Sequence, residues 1–142
     1  MKQDFHRLAH SVWDCKYHIV WIPKYRRKEL YGAKRKIVVA TIKQWARIKG
    51  IDIIEGHAMP DHIHLCLSIP PKYSVAHAIG LLKGKSASEV MSFGTKRSRM
   101  VRGRTFWARG YCVSTVGLDE ETVREYIRNQ EQTEKLDDET EL

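Results

Sequence analysis

Covalent cross-links are scarce in this chain. Its 142 residues include only three cysteines, Cys15, Cys66 and Cys112, far apart and without a Cys-x-x-Cys pair. That spacing excludes a disulfide framework and a cysteine-based zinc module, and it suits reduced thiols. Long apolar runs are missing as well. Residues Met1 to Arg7 lead into no hydrophobic core, and no later run approaches a membrane span, so a soluble cytoplasmic protein with no membrane partner is expected. A triphosphate loop is also lacking. Gly80-Leu81-Leu82-Lys83-Gly84-Lys85-Ser86 is one residue short of Gly-x4-Gly-Lys-Ser/Thr and falls inside a helical pattern, so no nucleotide cofactor is expected. Lys83 and Lys85 then read as solvated side chains or as contacts to a nucleic-acid backbone.

What the chain has is positive charge. The formal net charge is +8, yet residues 131 to 142 carry six carboxylates against Lys135, so the preceding 130 residues hold +13. A body that basic points to a polyanionic partner, the alternative being a solvated surface. The acidic end, 135–142, reads as a frayed helix end or a solubilising tail. The cations cluster. Lys24, Arg26, Arg27 and Lys28 surround Tyr25, with Lys34, Arg35 and Lys36 following, and Arg97, Arg99, Arg102 and Arg104 lead into Phe106-Trp107. Cations interleaved with aromatic rings suit phosphates and stacked bases, which makes Lys24, Arg26, Arg27, Arg102 and Arg104 candidate nucleic-acid contacts.

The length suits one domain, 1–142, able to bury a core unaided. Residues 13–22 alternate as a first strand ended by Pro23. Ile37, Val38, Thr41, Ile42, Trp45 and Ile48 follow a helical period over 34–49, with Gly50 at a C-terminal cap position. Residues 51–58 form a second strand, and Met59-Pro60-Asp61 turns it back. A third strand follows, in which Ile63, Leu65, Leu67 and Ile69 alternate with His62, His64, Cys66 and Ser68. Histidines two apart on a strand point the same way and can share one small ion, or they form an ordinary hydrogen-bonded pair. His57, before the turn, reads as structural because no spacing partner stands out on its own strand.

Ser74 caps a helix to about Phe93, residues 105–116 read as a fourth strand with Gly110 as a bulge or close-approach point, and Asp119 caps a last helix over 119–134. On that helix Val123, Tyr126, Ile127 and Gln130 share a flank, and Tyr126 and Gln130, four apart, can reach a common point. A tyrosine there is also an ordinary packing residue. The order strand, helix, strand, strand, helix, strand, helix predicts an α+β, ferredoxin-like antiparallel sheet of four strands with helices on one face and an added C-terminal helix. The other sheet face then needs a cover: the last helix, a second subunit or a nucleic-acid strand.

Together these motifs resemble a known family. His62-Ile63-His64 is similar to the His-hydrophobic-His motif of HUH nucleases, and Tyr126-Ile127-Arg128-Asn129-Gln130 resembles the single-tyrosine helix of HUH transposases from small bacterial and archaeal insertion sequences. The likeness extends through residues 15–21, 23–27, 61–64, 69–75, 82–86 and 106–111. It implies a DNA transposase that excises and inserts its element as single-stranded DNA, recognising hairpins near the element ends. It further implies that Tyr126 is the nucleophile, and that His62, His64 and Gln130 ligate a divalent cation, Mg²⁺ or Mn²⁺. A 5′-phosphotyrosine and a free 3′-hydroxyl follow from the same likeness, as does a homodimer in which Tyr126 completes the partner's metal site. The rivals are another HUH enzyme (a domesticated repeat-associated transposase or a replication nickase), a non-catalytic single-strand-binding module, and a metal-dependent phosphodiesterase that uses water. A nickase often carries a second tyrosine close to the first, and Tyr126 stands alone on its helix.

Overall fold

A computed structural model describes the backbone of residues 6–7, 12–93 and 106–140, with side chains for 12–93 and 106–136. Two short strands, β1 (His6–Arg7) and β2 (Val12–Trp13), pair as a small antiparallel ribbon ahead of the main sheet. The sheet consists of β3 (Lys16–Trp21), β4 (Asp52–Met59), β5 (His62–Ser68) and β6 (Cys112–Ser114), in the order β4-β5-β3-β6, with every pairing antiparallel. Helices α1 (Gly32–Ile48) and α2 (Val75–Phe93) make the two crossovers, and α3 (Glu120–Thr140) ends the described chain. This is the ferredoxin-like arrangement that the element order implies.

The local chemistry explains the element ends. Gly50 leaves α1 in the left-handed region at φ +68°, which lets its N–H reach Arg47 O and the Ile51 N–H reach Ala46 O. Ser74 Oγ accepts the His77 N–H at 3.0 Å, and Asp119 Oδ1 accepts the Thr122 N–H at 2.7 Å, so each hydroxyl or carboxylate satisfies an orphan donor of the helix that follows.

Alternation along the strands divides the sheet into two faces. Ile19 and Trp21 of β3, with Ile63, Leu65 and Leu67 of β5, pack against Val38, Ile42 and Ala46 of α1 and Ala78, Ile79 and Leu82 of α2. A fully buried Leu or Ile contributes about 1.5–3 kcal/mol of transfer free energy, so this layer is the main source of stability. The opposite face carries a smaller cluster. Val20 and Ile22 meet Ala108, Val123 and Ile127, so α3 covers part of that face. Between Ile53 and Glu55 a β-bulge inserts Ile54, after which Glu55, His57 and Met59 sit opposite Cys66, His64 and His62.

Two expectations change. Of the expected strand 105–116, the described residues 106–116 pair as a strand only over Cys112–Ser114. Among the described residues before it, Trp107 makes one isolated bridge to Pro23, and Phe106 and Trp107 are plugged into the core. Their large apolar surface goes into the α1/α2 layer, where sequence propensity alone reads strand. The last helix also runs to Thr140, past the expected end at 134, so residues 135–140 continue it, as the helix-end reading of the acidic stretch has it. No helix among the described residues is long and apolar enough to cross a membrane.

Candidate active site

Lys83 and Ser86 of α2 lock the segment leading into β6. Lys83 Nζ donates to Ala108 O and Gly110 O, each at 2.8 Å, and Ser86 Oγ accepts the Trp107 indole N–H at 3.0 Å. Burial lowers the Lys83 ammonium to about 8. Lys83 is therefore an internal tether, not a solvated or DNA-facing cation. The triphosphate-like stretch owes its Lys and Ser to packing. Gly110, at φ +83°, makes the bend that presents its carbonyl to Lys83.

His62 and His64 lie on the face of β5 away from α1 and α2, both half-buried, with Val20 of β3 opposite His64. They line an open cleft of about 1050 Å³ together with Arg26, Asp61, Arg124 and Arg128. His62 Nδ1 donates to Asp61 Oδ1 at 2.8 Å, which anchors the ring through that nitrogen and leaves Nε2 for a ligand. Burial by itself would raise the Asp61 carboxyl, but hydrogen bonding and charge from His62, then from Arg26, hold it below the usual carboxylate range. Burial first, then the charges of His18, His57 and His62, lower the His64 imidazole below its ordinary value. A divalent cation takes an imidazole through a ring nitrogen's lone pair, and the two rings sit side by side on one strand face as such a pair of ligands would.

A third ligand does not join them from the same helix face. Arg124 and Arg128 line the cleft, with Val123 and Ile127 between them and the sheet, whereas Gln130 donates its side-chain N–H to Arg109 O. Tyr126 packs beside Val20, Ile22 and Cys112, and its hydroxyl is buried with no hydrogen-bond partner. Burial, then Cys112 and Glu134, push that phenol up to about 12. Within one chain, the structure brings His62 and His64 together and turns Tyr126 and Gln130 toward the β6 side. Among the described residues, no three His, Cys, Asp or Glu side chains surround one point.

The basic candidates divide similarly. Arg26 bridges Asp61, 3.3 Å from Nε, and Glu131 of α3, 3.3 Å from Nη1. Lys24 and Arg27 flank the Tyr25 ring at 5.1 and 5.5 Å. Arg102 and Arg104 lie outside the described residues. Tyr25 and Arg26 both adopt left-handed backbone, φ +59° and +52°, at a cost of about 1–3 kcal/mol each for side chains of this size. That turn is met by Glu134, 4% exposed, whose Oε2 accepts the Tyr25 N–H at 2.6 Å.

Sequence reasoning missed Asp61, Glu131 and Glu134 as partners of the cleft, and it overlooked the spacing partner of His57. Its spacing partner is Glu55, two residues back, which accepts from the imidazole at 2.9 Å, and its ring stands 6.5 Å from that of His64. The i, i+2 rule that picked out His62 and His64 would have found it.

Comparison with known proteins agrees with this architecture. Residues 11–130 match the model of the family described as "Transposase IS200 like". Over 130 residues the chain is 44% identical to the transposase for insertion sequence element IS200 of Salmonella typhimurium, covering 91% of this chain and 85% of that one. It is 29% identical over 124 residues to the ISDra2 transposase TnpA of Deinococcus radiodurans, covering 87% and 89%. A solved chain from Deinococcus radiodurans R1, provisionally assigned as a transposase, superposes with a TM-score of 0.74 at 26% identity over 88% of this chain and 97% of that one. A REP-associated tyrosine transposase solved with a REP hairpin shares the fold, with a TM-score of 0.55 at 10% identity over 86% and 68%. The chain belongs to the IS200-like transposase family.

Proposed function

We propose that this transposase cleaves and rejoins single-stranded DNA at the ends of an insertion sequence through a 5′-phosphotyrosine at Tyr126, recognising hairpins there. The observation that carries the reading is the paired imidazoles of His62 and His64, the first anchored by Asp61, in a cleft edged by Arg26, Arg124 and Arg128. Mg²⁺ or Mn²⁺ bound there would withdraw charge from the scissile phosphate's oxygens. The chain's residues do the remainder. His62 and His64 would hold the ion from β5, Asp61 keeps His62 oriented, and the arginines steer the strand's phosphates into the cleft. The Tyr126 oxygen attacks phosphorus, the 3′-oxygen leaves, and the exchange of one phosphodiester for another is close to isoenergetic. Rejoining reverses it, with a 3′-hydroxyl attacking and the phenol leaving.

Tyr126 must leave its present contacts for this to happen, since a buried phenol with so high a pKa is a poor nucleophile. Excision also needs two cleavages, and each chain's last helix offers one tyrosine. We therefore place Tyr126 and Gln130 of one copy against His62 and His64 of another in a homodimer. β6 is a three-residue edge strand whose central Val113 is 43% exposed, and it suits joining two sheets. Gly117, with nothing near its Cβ position, suits a pivot before α3.

The test is a labelled single-stranded hairpin incubated with the protein and Mg²⁺. A covalent protein–DNA band should form with the unaltered chain and vanish in Tyr126→Phe. Cleavage that survives Tyr126→Phe would instead favour hydrolysis by water. Asp61→Asn should weaken Mn²⁺ binding by about 10–100-fold, as measured by calorimetry on the folded variant.

A further inference from the structure

We infer that the turn at Tyr25–Arg26 is a seat for a phosphodiester of single-stranded DNA, and that Glu131 and Glu134 of α3 occupy it in the free chain. The inference rests on the DNA-processing reading above and names the place where the strand is gripped.

The left-handed backbone of Tyr25 and Arg26 closes a tight turn in which the Arg26 N–H goes to Pro23 O and the Arg27 N–H to Lys24 O, leaving the Tyr25 N–H aimed at an anion. An anion is there already: the Glu134 carboxylate accepts the Tyr25 N–H at 2.6 Å across 109 residues of sequence. Beside it, the Arg26 guanidinium reaches Asp61 and Glu131 at 3.3 Å each, longer than the 2.7–2.9 Å that is usual for charge-assisted bonds. One guanidinium divided between two distant carboxylates is poorly matched, and a phosphate can take it in bidentate fashion. Lys24 and Arg27 add positive charge beside the same turn, 5.1 and 5.5 Å from the centre of the Tyr25 ring. Arg26 also lines the cleft of His62 and His64, so a strand held at this turn continues directly to the paired imidazoles. Carboxylate and phosphate compete for the same donors. Strand binding and docking of the second half of α3 at this turn are therefore mutually exclusive.

The competition is readable by fluorescence anisotropy of a labelled single-stranded oligonucleotide. The full-length chain carries Tyr126→Phe throughout and no divalent metal is added, so only binding is measured. Glu131→Gln should bind about three- to tenfold tighter, because a competitor that holds the seat most of the time lowers apparent affinity by the same factor. Glu125→Gln, which removes an exposed charge elsewhere on α3, should change affinity by less than about twofold. Arg26→Gln should weaken binding and reduce the salt slope by about one. In hydrogen exchange, saturating oligonucleotide should speed exchange of the amides in residues 131–136. Unchanged or weaker binding by Glu131→Gln, an equal gain in Glu125→Gln, or full affinity in Arg26→Gln would each overturn the seat. Glu134→Gln should repeat the gain; if that buried change unfolds the chain, Glu131→Gln decides alone. Absence of a phosphotyrosine in the cleavage test would sink the proposed chemistry while leaving these binding results to stand, and the converse also holds.

Discussion

The two faces of the sheet are built differently. Toward α1 and α2, Ile19, Trp21, Ile63, Leu65 and Leu67 are buried in a continuous aliphatic and aromatic layer. Toward α3, Val20, Ile22, Ala108, Val123 and Ile127 make a patch of five, and the rest of the docking is polar: Arg26 to Glu131, Tyr25 N–H to Glu134, Gln130 to Arg109 O. Apolar burial does not reverse under native conditions, whereas ion pairs and hydrogen bonds can be exchanged for a ligand. The first face holds the fold together, and the second carries the helix that bears the proposed nucleophile and that the proposal requires to move.

That contrast can be broken most forcefully in the core. Leu67→Ala should cost about 2–5 kcal/mol in urea unfolding, as expected for a fully buried residue that leaves a cavity. Ile127→Ala, though also buried, should cost less than about 2 kcal/mol globally and show instead as faster hydrogen exchange along α3, because a helix that undocks cannot charge the whole fold for its lost contact. Equal global losses would mean that the faces are one cooperative unit.

A smaller effect is expected where α2 grips the segment before β6. Ser86→Ala leaves the Trp107 indole N–H buried without its acceptor, costing about 1–3 kcal/mol. The loss should appear as reduced thermal stability.

The smallest effect belongs to Tyr126. Tyr126→Phe removes a buried hydroxyl that has no partner, so stability at pH 7 should hold or rise by up to about 1 kcal/mol. The folded pKa is raised, so the folded state keeps its proton where the unfolded chain loses it. The stability tied to this group is present below pH 10 and lost as pH climbs toward about 12. The unaltered chain should therefore lose more stability than Tyr126→Phe between pH 10 and 12 in parallel urea titrations. Coincident curves would show the phenol exposed, and α3 already undocked.

Much of the frame was legible because it depends on local rules. Alternation set Ile63, Leu65 and Leu67 against His62 and His64, and Gly50, Ser74 and Asp119 marked helix ends by chemistry that acts over a few residues. The site was legible as far as the strand that carries it. Its partners were not, since Glu134 reaching the Tyr25 N–H and Lys83 reaching Ala108 O join residues whose proximity only tertiary packing creates. The helical period correctly placed Tyr126 near Val123 and Ile127 but could not say that this flank divides between a cleft and an apolar patch. Phe106 and Trp107 misled for a related reason: strand propensity measures fit to a half-buried surface, and a core plug offers the same fit.

Ile54 has no counterpart across the ladder, and half its surface lies in solvent, so its side chain hardly matters to packing. Its place in the count matters a great deal. Delete it and the strand's parity inverts on one side of the gap: either Glu55 and His57 are driven among Leu65 and Leu67, or Ile53 is expelled into water. Ile54 is a spacer, and by its presence a carboxylate and an imidazole stand next to His64 instead of being entombed under α1.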